Sequence, residues 1–192
     1  MTTSPLTLHA APAAGFDQPF EMLDACHQRV RRSLALLQRL ERHLAERGAD
    51  EQARQAAGDI LRYFDLAAPA HHEDEERHVL PLLRRLGEAC GDAGAGRPDL
   101  HRLAERLHAD HQRMAAAWAL ARPPLQALAE GGAWPAGPAE AARAHWQAFT
   151  ALYEDHLAAE DEVAFPAAAA QADAAARRAM GEEMATRRGV RR

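Results

Sequence analysis

Two stretches of this chain place a histidine and a glutamate four residues apart, with a proline six residues beyond: His71, Glu75 and Pro81, then His156, Glu160 and Pro166. Two further histidines, His27 and His111, sit in matching surroundings, LDACHQR and LHADHQR. Imidazole nitrogens and carboxylate oxygens together are ligands for first-row metal ions. On a helix, residues four apart share a face and lie ~6 Å apart along the axis, so such a His and Glu can reach neighbouring ions. His27 and His111 are 84 residues apart, and His71 and His156 are 85 apart. The chain therefore repeats a helical hairpin, each copy supplying one lone His and one His-x3-Glu pair.

These six side chains interrupt apolar stripes. Burying two carboxylates with nothing to bind would cost on the order of several kcal/mol per ion. A pair of metal ions resolves that cost. Four imidazoles and two bridging carboxylates fill about eight of about twelve octahedral positions, and a bridging oxide or hydroxide leaves about two open. The ligand set suits two iron ions in an oxo- or hydroxo-bridged di-iron centre, with manganese or zinc less favoured. His72 and Glu76 form a competing pair one residue out of phase, but the aligned prolines and the apolar stripe favour His71 and Glu75. HEDEE at His72 lacks the second histidine of H-E-x-x-H, so a zinc metalloprotease is excluded. No glycine-rich phosphate loop and no nucleophile elbow is present.

Helices must position these groups. Of 192 residues, 47% are hydrophobic but only 5% aromatic, and Ala, Leu, Arg and Glu dominate, a mixture that favours helix over strand. The spacing predicts an all-α fold, an up-down-up-down antiparallel four-helix bundle with an extra C-terminal helix. The first helix is expected over about Asp17–Arg47, with Asp17 as N-cap, Pro19 in the first turn and Gly48 ending it. The second runs over about Glu51–Ala89, kinked or split at Pro69, and the third over about Asp99–Ala121, stopped at Pro123-Pro124. The fourth spans about Ala139–Phe165, stopped or bent at Pro166, and a final amphipathic segment spans about Asp173–Arg188. GDAGAGRP (91–98) and GGAWPAGP (131–138) read as loops. Core stripes follow three/four spacing: Phe20, Leu23, His27, Val30, Leu34, Leu37; Ile60, Phe64, Ala67, His71, Glu75, Leu82, Leu86; Leu100, Leu103, Leu107, His111, Met114, Trp118; and Trp146, Phe149, Tyr153, His156, Glu160, Val163. His27 and His71 each lie about 22 residues, or ~33 Å of helix, from the intervening turn, so they meet at one level.

At these residues the chain resembles the hemerythrin-like, or HHE cation-binding, family, over about residues 17–170. The resemblance implies that His27, His71, His111 and His156 are terminal iron ligands and that Glu75 and Glu160 bridge the irons. Oxygen-carrying hemerythrins have a fifth histidine four residues from that on the third helix. Here those positions are Leu107 and Ala115, and His108 is the remaining candidate for the role. The resemblance then implies a protein that binds or senses oxygen or nitric oxide in oxidative or nitrosative stress or iron homeostasis, rather than an oxygen carrier. The alternative is a di-iron enzyme: a peroxidase, a nitric oxide reductase or an iron–sulfur repair activity.

The remaining features set bounds. A net charge of −5 gives no basic field for nucleic acid, and no ~18-residue apolar run suggests a membrane span. With no export signal, Cys26 and Cys90 are expected as reduced thiols in a cytoplasmic protein. Residues 1–16 are expected to be a disordered tail, 17–170 the bundle, and 171–192 a C-terminal helix and basic tail whose Arg187, Arg188, Arg191 and Arg192 are solvated. Glu73, Asp74, Asp161 and Glu162 are expected to be solvated or to orient imidazoles. His9, His43 and His101 are expected to face solvent, Cys26 to be a small buried residue, and Tyr153 to lie near the site.

Overall fold

The computed structural model describes residues 15–90, 98–132, 134 and 138–190, and the side chains of Cys90 and Pro138 are outside that description. His9, Arg191, Arg192, nearly all of the expected tail, most of the first expected loop and half of the second lie outside it too. Among the described residues every regular element is helical: α1 (Pro19–Arg47), α2 (Glu51–Arg62), α3 (Ala68–Asp74), α4 (Leu80–Cys90), α5 (Leu100–Ala129), α6 (Pro138–Ala159), α7 (Phe165–Gln171) and α8 (Ala174–Arg187). None of these helices is long and apolar enough to cross a membrane.

Helix starts follow local chemistry. Asp50, Asp99 and Asp173 each accept a hydrogen bond from the backbone N–H three residues on, satisfying one of the orphan donors of α2, α5 and α8. Asp17 does not cap α1 as expected. Pro19 disfavours helical geometry in the residue before it, so Gln18 becomes the boundary, and its carbonyl accepts from Met22 N–H at 2.9 Å. Gly48 ends α1 with φ 75°, a conformation that favours glycine. His43, expected in solvent, is largely buried and meets the capping carboxylate of Asp50 at 2.9 Å.

The prolines interrupt regular helix without ending it. Helix continues through Pro69, Pro81 and Pro166 because a wider π turn stands just before each: Tyr63–Ala67, Glu75–Val79 and Glu160–Ala164. Each closes with an i to i−5 bond, from Ala68 to Tyr63, Leu80 to Glu75 and Phe165 to Glu160. A proline has no N–H to give and its ring crowds the carbonyl four residues back, and the wider turn relieves both. The extra residue rotates the following helix by about 100°. Beside each turn one buried position differs from regular spacing: Ala68 is buried instead of Ala67, Leu83 instead of Leu82, and Ala164 instead of Val163, while His71 and Glu75 beyond the first turn keep their places. Pro123 and Pro124 do not stop α5 either. The carbonyls they leave without helical donors belong to Ala119 and Leu120, which are exposed to water, while Ala121, Leu125 and Leu128 hold the helix by burial.

The chain forms two compact units. The first comprises Gln28–Pro69 and Arg113–Tyr153. Its interior holds leucines of α1, the alanines Ala53, Ala56 and Ala57, and a ring cluster in which Phe64 meets Trp118, Phe149 and Tyr153 at 5.1, 4.9 and 5.9 Å. Asp65 accepts from Trp118 Nε1 and Arg122 Nε, both at 2.9 Å.

The second unit comprises the described residues of 12–27, 70–112 and 154–192. Its core joins Leu23, Leu80, Leu83, Leu107 and Phe165 with Met180 and Met184 of α8. Arg187 and Arg188 are not a solvated tail: both pair with Asp74, which is fully buried. A buried carboxylate needs such compensation, and Asp74 thereby fixes α8. The N-terminal turn crosses α8 so closely that a Cβ on Gly181 would collide with the Phe16 carbonyl. Gly181→Ala should therefore lower stability by about 1–3 kcal/mol. Gly58→Ala, in open space within α2, should raise it by about 0.5–1 kcal/mol. Denaturation midpoints of the two variants check this, and equal shifts of one sign would contradict it.

Candidate metal centre

All six expected ligands fall in the second unit, and all six are buried. His27 comes from α1, His71 from α3 with Glu75 at the start of the π turn after it, His111 from α5, and His156 from α6 with Glu160 opening the next π turn. The three/four spacing that buries an apolar side chain buries a ligand equally well, so these positions point inward with the stripe. The π turns that begin at Glu75 and Glu160 let the carboxylates stay on the inward face while the helix beyond them rotates.

The Nε2 atoms converge on the carboxylates. His71 Nε2 is 3.2 Å from Glu75 and His156 Nε2 is 3.1 Å from Glu160, each within its own His-x3-Glu pair. His27 Nε2 lies 3.2 Å from Glu160 and 3.6 Å from Glu75. His111 Nε2 lies 3.4 Å from Glu75 and 4.0 Å from Glu160. Each carboxylate is thus shared between the halves of the repeat. Glu75, His111, His156 and Glu160 offer donor atoms within 4.8 Å of one another, and so do His27, His71 and Glu75.

Three of the four opposite ring nitrogens are tied down. His27 Nδ1 donates to Asp161 at 2.6 Å, His111 Nδ1 to Glu76 at 2.9 Å, and His156 Nδ1 to Asp110 at 3.4 Å. A carboxylate on Nδ1–H fixes the ring and the tautomer that leaves the Nε2 lone pair facing inward. Asp161 fills the orienting role expected of it. Spacing alone presents Glu76 only as a rival ligand, and nothing in it singles out Asp110. The repeat held the signal for Glu76, since it follows Glu75 as Asp161 follows Glu160. Asp74, by contrast, pairs with Arg187 of α8 and with Arg188 just after it.

His108 does not join the cluster. It is 39% exposed, shares a hydrogen bond with Gln112 at 3.1 Å and stands 3.6 Å from Glu76. His72 stacks flat on His111, ring centres 4.2 Å apart, outside both donor groups. Phe165 stacks on His27 at 4.8 Å and closes that side with an apolar face.

Residues 18–168 match the hemerythrin HHE cation-binding domain family. The chain belongs to that family. A protein of Haemophilus influenzae described as uncharacterized is 38% identical over 73 residues, a stretch covering 38% of this chain and 42% of that protein. The chain thus spans less than half the length of the curated relative it matches.

The side chains fit the cation an HHE domain binds. Both oxygens of Glu75 and of Glu160, with Nε2 of His27 and of His111, are buried without a hydrogen-bond partner among the described residues. Without a cation, protons must balance the carboxylates. Burial pushes His27 down, but Asp161, Glu160 and Glu75 outweigh it and raise it to about 11. Burial likewise opposes the charged form of His111, which Glu75 and Glu76 raise to about 9. Burial and the neighbouring His27 and His72 rings hold His71 well below its ordinary value. Burial works against the ionised form of Glu160, yet His156 and His27 keep it well below the ordinary carboxylate range.

A cation must displace the protons on His27 and His111, because both stay protonated at pH 7 when no cation is bound. Cation uptake by the HHE site should therefore release at least two protons per chain at neutral pH, and apparent affinity should rise steadily from roughly pH 6 to 9. Calorimetry in buffers of different ionisation enthalpy measures the release. Uptake without proton release would contradict this electrostatic picture.

Proposed function

We propose that this chain is a non-heme di-iron-binding protein that binds or senses a small diatomic ligand, oxygen or nitric oxide. The carrying observation is the convergence of four imidazole Nε2 atoms on two buried carboxylates that receive no hydrogen bond from the described residues. His27, His71, His111 and His156 would be terminal ligands, and Glu75 and Glu160 would each reach both ions. The proposed frame is an up-down-up-down antiparallel four-helix bundle over residues 17–170, with α8 added outside it, in a cytoplasmic protein.

Two iron ions bound there would supply redox-active metal with open coordination positions. The chain's own residues do the rest. Asp161, Glu76 and Asp110 hold three rings in the ligating tautomer. Phe165 and the buried leucines around it keep water from the His27 side. The exposed position of His108 leaves α5 with one ligand, which supports ligand binding at an open position over the five-histidine arrangement of an oxygen carrier.

Purified protein should contain about two irons per chain, with near-ultraviolet charge-transfer absorption that shifts on adding azide or nitric oxide. Glu160→Ala should lose most of the iron and the absorption, since it removes oxygens that face His27, His111 and His156. Iron-loaded protein with an unchanged spectrum in azide and nitric oxide would overturn the proposal.

A further inference from the structure

The internal repeat gives each residue around the site a counterpart, and one pair does not match. Glu76 and Asp161 correspond, each following a shared glutamate, and each orients the lone histidine of the other hairpin, His111 and His27 respectively. Asp110, just before His111, accepts from His156 Nδ1. Its counterpart, just before His27, is Cys26, a half-buried thiol. His71, the counterpart of His156, has a buried Nδ1 with no hydrogen-bond partner among the described residues. Both histidines of the second hairpin therefore have a carboxylate behind them, and only one of the first hairpin's does. The donor atoms divide the same way, into the four-residue group with His111 and His156 and the three-residue group with His27 and His71.

We infer that the two metal positions are unequal by construction, so that the ion between His111 and His156 loads first and is held more tightly than the ion between His27 and His71. This rests on the di-iron reading above. An anionic acceptor on Nδ1–H raises the basicity of Nε2 and holds the ring in place, and such partners typically change metal affinity by about 10–100-fold. Asp110 is thus a positioning residue for the tight position, and Cys26 is where the matching carboxylate is missing from the weak one. A protein built this way passes through a one-metal form as iron supply changes, in which the His27 and His71 position is the labile one.

Anaerobic titration of the metal-free full chain with ferrous iron tests this by calorimetry, with Mössbauer spectra at one and two equivalents of iron-57. The wild type should show two events separated by about 10–100-fold, with one ferrous species at one equivalent and a second appearing afterwards. Cys26→Asp should strengthen the second event by about 10-fold and leave the first in place, while Asp110→Asn should weaken the first by a similar factor. A purely structural effect of either change would move both events together. Two ions bound with equal affinity, or a gap that neither variant moves, would overturn the inference. Should Cys26→Asp not fold, the wild type and the near-isosteric Asp110→Asn still decide it. Fewer than two ions per wild-type chain would instead sink the di-iron reading itself.

Discussion

Glu75 and Glu160 carry four oxygens into an interior where no N–H or O–H of the described residues bonds them. An ionised carboxylate in that position costs on the order of several kcal/mol unless a charge meets it, and the surrounding side chains are arranged to meet it. Four imidazoles bring Nε2 to the oxygens, three of them held from behind by a further carboxylate. The positions of these groups follow: they must sit at one level, on four helical segments, on the faces that would otherwise carry core leucines. A cation satisfies every one of these atoms at once, whereas protons satisfy them only by holding His27 and His111 charged.

The six converging side chains were legible in the sequence because two independent regularities coincide in them, the apolar stripe and the duplication. Each alone is weak. A histidine that keeps core register in both halves of a repeat is hard to account for except as a ligand. The wider turns were not legible. Pro69 and Pro166 read as kinks or stops and Pro81 only as a marker of the repeat, yet the backbone widens before all three and continues. That extra residue is why Leu83 and Ala164 took the core places expected of Leu82 and Val163. Pro123 and Pro124 misled for a different reason: solvent, not geometry, accommodates the carbonyls they orphan.

Charge was the other blind spot. Arg187 and Arg188 looked like a solvated basic tail and Asp74 like a solvated neighbour of the ligands, because composition does not reveal pairing across 113 and 114 residues. In the fold they compensate one another, and they anchor α8 on the segment that also carries His71 and Glu75. Glu76 and Asp110 were similarly hidden. Their roles depend on which helix faces which, and the repeat alone points to Glu76, by its correspondence with Asp161.

The central claim is that two metal ions sit among these six side chains. Anomalous diffraction from crystals of the iron-loaded protein, recorded on both sides of the iron absorption edge, tests it directly. The account predicts two iron peaks, one beside the Nε2 atoms of His27 and His71 and one beside those of His111 and His156, with Glu75 and Glu160 reaching both. A single peak, or iron bound away from these residues, would contradict it.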